Sequence, residues 1–76
     1  MSKFEKLIKK ILEGRAFSYE EAETLLQKLG FDFTVSGSHH VFRKKGYEKN
    51  ITLKRRSQLL AYQIKMIQEV LEDHGY

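Results

Sequence analysis

The chain contains no cysteine. This excludes the disulfide staples on which small secreted domains depend, and any zinc site built on thiolates. A staple-free chain of 76 residues fits a reducing compartment. Long apolar runs are missing too: no stretch approaches the ~20 consecutive apolar residues that span a bilayer. From Met1 to Glu13, lysine and glutamate interleave with leucine and isoleucine, unlike the unbroken apolar core of a secretion signal. These absences predict a soluble, cytoplasmic, single domain over residues 1–76, with a thin core and no cleft between lobes. An active site in such a chain has to lie on a surface.

Acid is scarce where base is abundant. The formal net charge is +4 and the pI about 9.4, which favours a polyanionic partner. The distribution says more than the total. Between Thr34 and Ala61 stand Arg43, Lys44, Lys45, Lys49, Lys54, Arg55 and Arg56, with Glu48 as the one acid among them.

Periodicity places this basic stretch on strands. Phe4, Leu7, Ile8, Ile11 and Leu12 recur at helical spacing and predict a first helix, stopped at Gly14. Ser18 and Glu21 form a capping-box pair that opens a second helix, with Ala22, Leu25, Leu26 and Leu29 as its stripe and Gly30 as its end. The period then drops to two. Phe31, Phe33 and Val35 alternate with polar residues, Ser36-Gly37-Ser38 is a turn, and His39 to Lys44 reads as a second strand. A turn beginning at Lys44-Lys45-Gly46 leads to a third strand from Asn50 to Lys54. Leu60, Ile64, Ile67 and Leu71 stripe a last helix, from about Leu60 to His74. The expected class is α+β: helix, helix, three-stranded antiparallel meander, helix. Its helices lie on one face of the sheet and the other face is open to solvent.

Histidine is also rare, at three residues. His74 falls in the last turn of a helix, where an imidazole interacts well with the negative end of the helix dipole. His39 and His40 follow Gly37-Ser38 directly and begin the strand that ends in Arg43, Lys44 and Lys45. Adjacent strand residues point to opposite faces. If Phe42 is the core residue, His40 and Lys44 go inward with it, while His39 and Arg43 face outward; Val41 leaves the opposite choice open. An imidazole titrating near ~6.5 can exchange the proton of an RNA 2′-hydroxyl at neutral pH. Fixed cations can stabilise the charge that builds on the phosphoryl oxygens. A metal site would need a third ligand, and neither Asp32 nor Glu48 stands at a recognisable spacing for one. The same residues also suit a hairpin in which one histidine is packed and the other solvated. Phe31, Phe33 and Phe42 are expected in the core rather than as stacking platforms, and Tyr47 is expected to be exposed in the turn. Tyr19, Tyr62 and Tyr76 read as amphipathic edge residues.

The run Gly37-Ser38-His39-His40-Val41-Phe42-Arg43 resembles the signature strand of the HicA toxins. Its surroundings agree: Leu26-Gln27-Lys28-Leu29-Gly30-Phe31 before it, and Tyr62-Gln63-Ile64-Lys65-Met66-Ile67 after it, are similar to the family's strand entry and closing helix. The extra N-terminal helix is like that of longer members. The resemblance implies a fold like a double-stranded-RNA-binding domain, and a metal- and cofactor-free endoribonuclease acting on single-stranded mRNA through one histidine. It also implies a HicB-like antitoxin that covers the site of a monomeric toxin. The catalytic position carries over to His39 or, as in some relatives, one residue later to His40. Gly37, Ser38, Arg43, Lys44, Lys45, Lys54, Arg55 and Arg56 are the expected RNA-binding residues. One segment departs from the pattern: Lys54-Arg55-Arg56-Ser57-Gln58 stands where many members are rich in proline and histidine. A domain that binds RNA without cutting it, or that retains only the antitoxin contact, fits the same residues.

Overall fold

Ser2 and Ser18 open the first two helices in the same way. Each side chain accepts a hydrogen bond from the backbone N–H three residues on, and the glutamate there, Glu5 or Glu21, returns one from the serine's own N–H. Two of the backbone donors that every helix start exposes are thus satisfied at each end. In the computed structural model, which describes residues 2–54 and 59–76, the order is α1 (Lys3–Leu12), α2 (Tyr19–Lys28), β1 (Asp32–Ser36), β2 (His39–Lys44), β3 (Tyr47–Lys54) and α3 (Ala61–Asp73). The sheet is an antiparallel meander in the order β1-β2-β3. Among the described residues no helix is long and apolar enough to cross a membrane.

Cross-strand partners share a face. Phe42 pairs with Phe33 on one side and Ile51 on the other, and His40 pairs with Val35 and Leu53. This row faces the helices, where Phe42, Ile51 and Leu53 join Ile11, Leu25, Leu26, Ile67 and Leu71 in the core. Val41 belongs to the opposite row with Thr34 and Thr52, which resolves the choice that its side chain left open. α1 packs on both α2 and α3, and the Gln68 side-chain amide of α3 donates to the Ile11 carbonyl at 2.9 Å.

Three expectations change. Tyr19 is a core residue, 1% exposed, rather than an edge residue. Tyr47 begins a longer third strand and is half-buried against Phe31 and His74. Its hydroxyl donates to Asp73 Oδ2 at 2.7 Å, and Lys49 Nζ donates to the same oxygen at 2.9 Å. Lys49 and then Tyr47 hold the Asp73 carboxyl below the usual range, while burial and Asp73 together push the Tyr47 phenol up. Phe33, finally, is 36% exposed and Val35 57% exposed rather than in the core.

Candidate nucleic-acid interface

The outer face of the sheet holds His39 and two of the predicted cations, Arg43 and Lys54. It includes Asp32, Thr34 and Ser36 on β1, His39, Val41 and Arg43 on β2, and Glu48, Asn50, Thr52 and Lys54 on β3. All are exposed apart from Val41, which is half-buried. Nothing large and apolar stands on this face, so it needs no protein cover to be stable in water.

His39 is placed by the turn before it. Two residues, Gly37 and Ser38, connect Ser36 to its partner His39, and only Gly37 has positive φ, at 61°. That is the pattern of a tight type II′ hairpin, which asks for glycine at its first central position. Ser38 is left exposed at the tip. On its other side His39 pairs with Lys54. The histidine therefore sits between a hydroxyl and a cation, each with Cα only about 5 Å away.

The remaining predicted cations are spread out rather than clustered. At ~3.3 Å per residue, Arg43 lies about 13 Å along β2 from His39. Its cross-strand partner is Asp32, whose carboxylate offsets part of the local charge. Lys45 is exposed in the far turn. Lys44 points to the helix side, where its ammonium lies 3.0 Å from His74 Nε2 and 5.9 Å from the centre of the Phe31 ring. It is thus not on the face with His39. Arg55 and Arg56 lie outside the described residues.

His40 and His74 are built into the structure. His74 caps α3, and its Nδ1 lies 2.7 Å from the Val70 carbonyl, so that nitrogen carries the proton and Nε2 accepts from Lys44. The His40 ring stacks 5.9 Å from Phe33 and meets Tyr19 edge-on, and its Nδ1 is hydrogen-bonded to the Tyr19 hydroxyl. Replacing His40 with alanine removes that hydrogen bond and two ring contacts. The expected loss of stability is about 2 kcal/mol, read as a lower urea midpoint at unchanged slope. An unchanged midpoint would mean that the ring is not packed in solution.

Three polar residues that the sequence argument passed over join the site. Asn50 and Thr52 alternate with the buried Ile51 and Leu53, so the two-residue period alone puts them in the row with Lys54. Tyr62 comes from further away. At the β3 margin the outer row and the start of α3 enclose a shallow recess. His39, Asn50, Thr52 and Lys54 line it from the sheet, and Tyr62, Gln63 and Met66 line it from α3. Gln63 is 2% exposed and accepts the Leu60 N–H at 2.9 Å, which holds the first turn of α3 in place. Among the described residues no group of three or more His, Asp or Glu stands close enough together to hold a metal ion. No family model, curated protein or solved structure matches the chain.

Proposed function

We propose that the protein is an endoribonuclease of the HicA kind, with a fold like a double-stranded-RNA-binding domain, and that His39 is its general acid or base. The observation that carries this reading is the position of His39: exposed, on the uncovered face of the sheet, with the Lys54 ammonium on the neighbouring strand. RNA supplies its own nucleophile, so one imidazole that takes the 2′-hydroxyl proton meets the first requirement of the reaction. Attack on the adjacent phosphorus expels the 5′-oxygen, and charge grows on the non-bridging oxygens as it does so. Lys54 is the cation on the described face that stands nearest to stabilise it. Arg43 and Lys45 are too distant for the same phosphate and instead hold neighbouring phosphates of the strand. An uncovered face of this sort, with Lys54 beside His39, also suits cover by an antitoxin that blocks the site sterically and offers an acidic group to Lys54.

His39 has no hydrogen-bonded partner among the described residues that would fix its ring. That observation favours the second reading, an RNA-binding module of the same shape that does not cut. Cleavage of a long single-stranded RNA in the presence of EDTA separates the two. Wild type, His39→Ala, His40→Ala and the double variant are compared, each first shown to be folded by circular dichroism. The enzymatic reading expects cuts from wild type that disappear with His39 alone. Intact RNA after incubation with folded wild type leaves the binding module.

Both readings expect salt to weaken RNA binding. Three phosphate contacts, from Arg43, Lys45 and Lys54, at about 0.7 counterions released per contact on a single strand, give roughly a twentyfold loss over a fourfold rise in salt. Fluorescence anisotropy of a labelled oligonucleotide measures the slope, and a flat response would argue against phosphate recognition by this face.

A further inference from the structure

We propose that the recess between the outer row of β3 and the first turn of α3 seats one unstacked nucleobase, with Tyr62 as its stacking surface and Asn50 as the group that reads its edge. The inference rests on the reading of this face as RNA-binding; it is independent of whether the protein cuts.

Three features point to a base rather than to phosphate alone. The Tyr62 side chain is 61% exposed and makes no hydrogen bond among the described residues, although it stands on a helix whose apolar residues are otherwise mostly covered. A flat ring held open to solvent on a rigid element is what an extruded base stacks upon. Met66, one turn along α3, adds a polarisable thioether on the same side. Asn50, exposed on the β3 row, brings a side-chain amide to the same recess. That amide offers both a donor and an acceptor, the pair needed to bond a base edge in a preferred orientation. Lys54 and His39 occupy the same concavity. A base seated on Tyr62 therefore puts its own ribose and phosphate beside the histidine, and the recess would choose which nucleotide is presented there.

The chain has four tyrosines and no tryptophan, so its intrinsic fluorescence is tyrosine fluorescence and stacking on Tyr62 is directly visible. The probes are short single-stranded oligonucleotides of each single base, with 2′-deoxyribose so that nothing is cut. Wild type is expected to bind with saturable quenching and to rank the four bases. Tyr62→Ala should bind roughly five- to a hundredfold more weakly. Tyr62→Phe should keep the affinity and lose most of the quenching. Asn50→Ala should flatten the ranking of bases more than it lowers affinity. If wild type binds and Tyr62→Ala binds equally well, with the same ranking, the base seat is wrong while the RNA-binding face stands. If wild type binds neither these probes nor the same sequences as RNA at low salt, the RNA-binding reading fails and the base seat falls with it.

Discussion

Replacing His39 with alanine is expected to lower the rate of RNA cleavage by about 10²- to 10⁴-fold, the usual contribution of a positioned acid or base. The melting temperature should barely move. The side chain is exposed, and it makes no hydrogen bond among the described residues. A surface change of that kind stays within about 0.5 kcal/mol. His40 predicts the reverse pattern: a less stable protein whose folded fraction still cuts. Rates are therefore to be compared at a temperature where all variants are folded, against the same RNA and in EDTA. Full activity in folded His39→Ala, with activity lost in His40→Ala, would move the chemistry to the helix side of the sheet. It would then have to pass through the hydrogen bond between His40 and Tyr19. Exchange of Lys54 for glutamine adds a second check. It removes the cation across from His39 and should slow cleavage.

The largest effect on stability is expected from Phe42→Ala. Phe42 is fully buried at the centre of the middle strand, between Phe33 and Ile51, with its ring 5.5 Å from that of Phe33. Truncating such a side chain costs about 3–5 kcal/mol. A domain of this length has only about 4–11 kcal/mol in total, at ~0.05–0.15 kcal/mol per residue. The variant is therefore expected to melt at least ~12 °C lower, and to be partly unfolded at room temperature if the wild type lies near the lower bound. Phe42→Leu keeps most of the volume and should fall well short of that loss. Thermal and urea unfolding followed by circular dichroism measure both. A Phe42→Ala protein that melts within a degree or two of wild type would mean that the His40–Phe42 row does not face the helices, and would turn the proposed site inside out.

Helices and turns were legible because their signals are local. The stripes of α1 and α2, the Ser18–Glu21 pair that opens α2 and the Gly37-Ser38 hairpin all lie within a few residues of what they specify; the matching Ser2–Glu5 pair of α1 was overlooked. The face of β2 was legible only conditionally. Phe42 and Val41 are both apolar neighbours on one strand, and the tie is broken by Ile51 and Leu53 on β3 together with the helices above them. Tyr19 and Tyr47 were misjudged for a related reason. Each carries a hydroxyl whose partner is far away in the chain, His40 in one case and Asp73 in the other. A tyrosine reads as an edge residue until that partner is known. The same holds for the site. Asn50 and Thr52 could be found from the alternation of β3 and were overlooked because they are neutral. Tyr62 reaches the outer row only through the packing of α3 at the β3 margin, which no short motif encodes. Lys44 shows the converse: a cation within a basic run that folding turns away from its neighbours.

The core is closed by elements from opposite ends of the sequence. α1 is followed at once by α2, yet its other neighbour is α3, and the Phe4 ring meets that of Tyr76 with centroids 6.3 Å apart. During synthesis the buried residues of α1, Ile8 and Ile11, must wait for a partner that is made only after all three strands. The hairpins can form as they emerge, because each strand pairs with its immediate successor, but the hydrophobic interior stays unroofed until α3 is free of the exit tunnel. A nascent chain stalled before α3 would expose its apolar stripe and carry an outer sheet face without a stable scaffold behind it. The outer face gains its backing only once α3 has closed over α1.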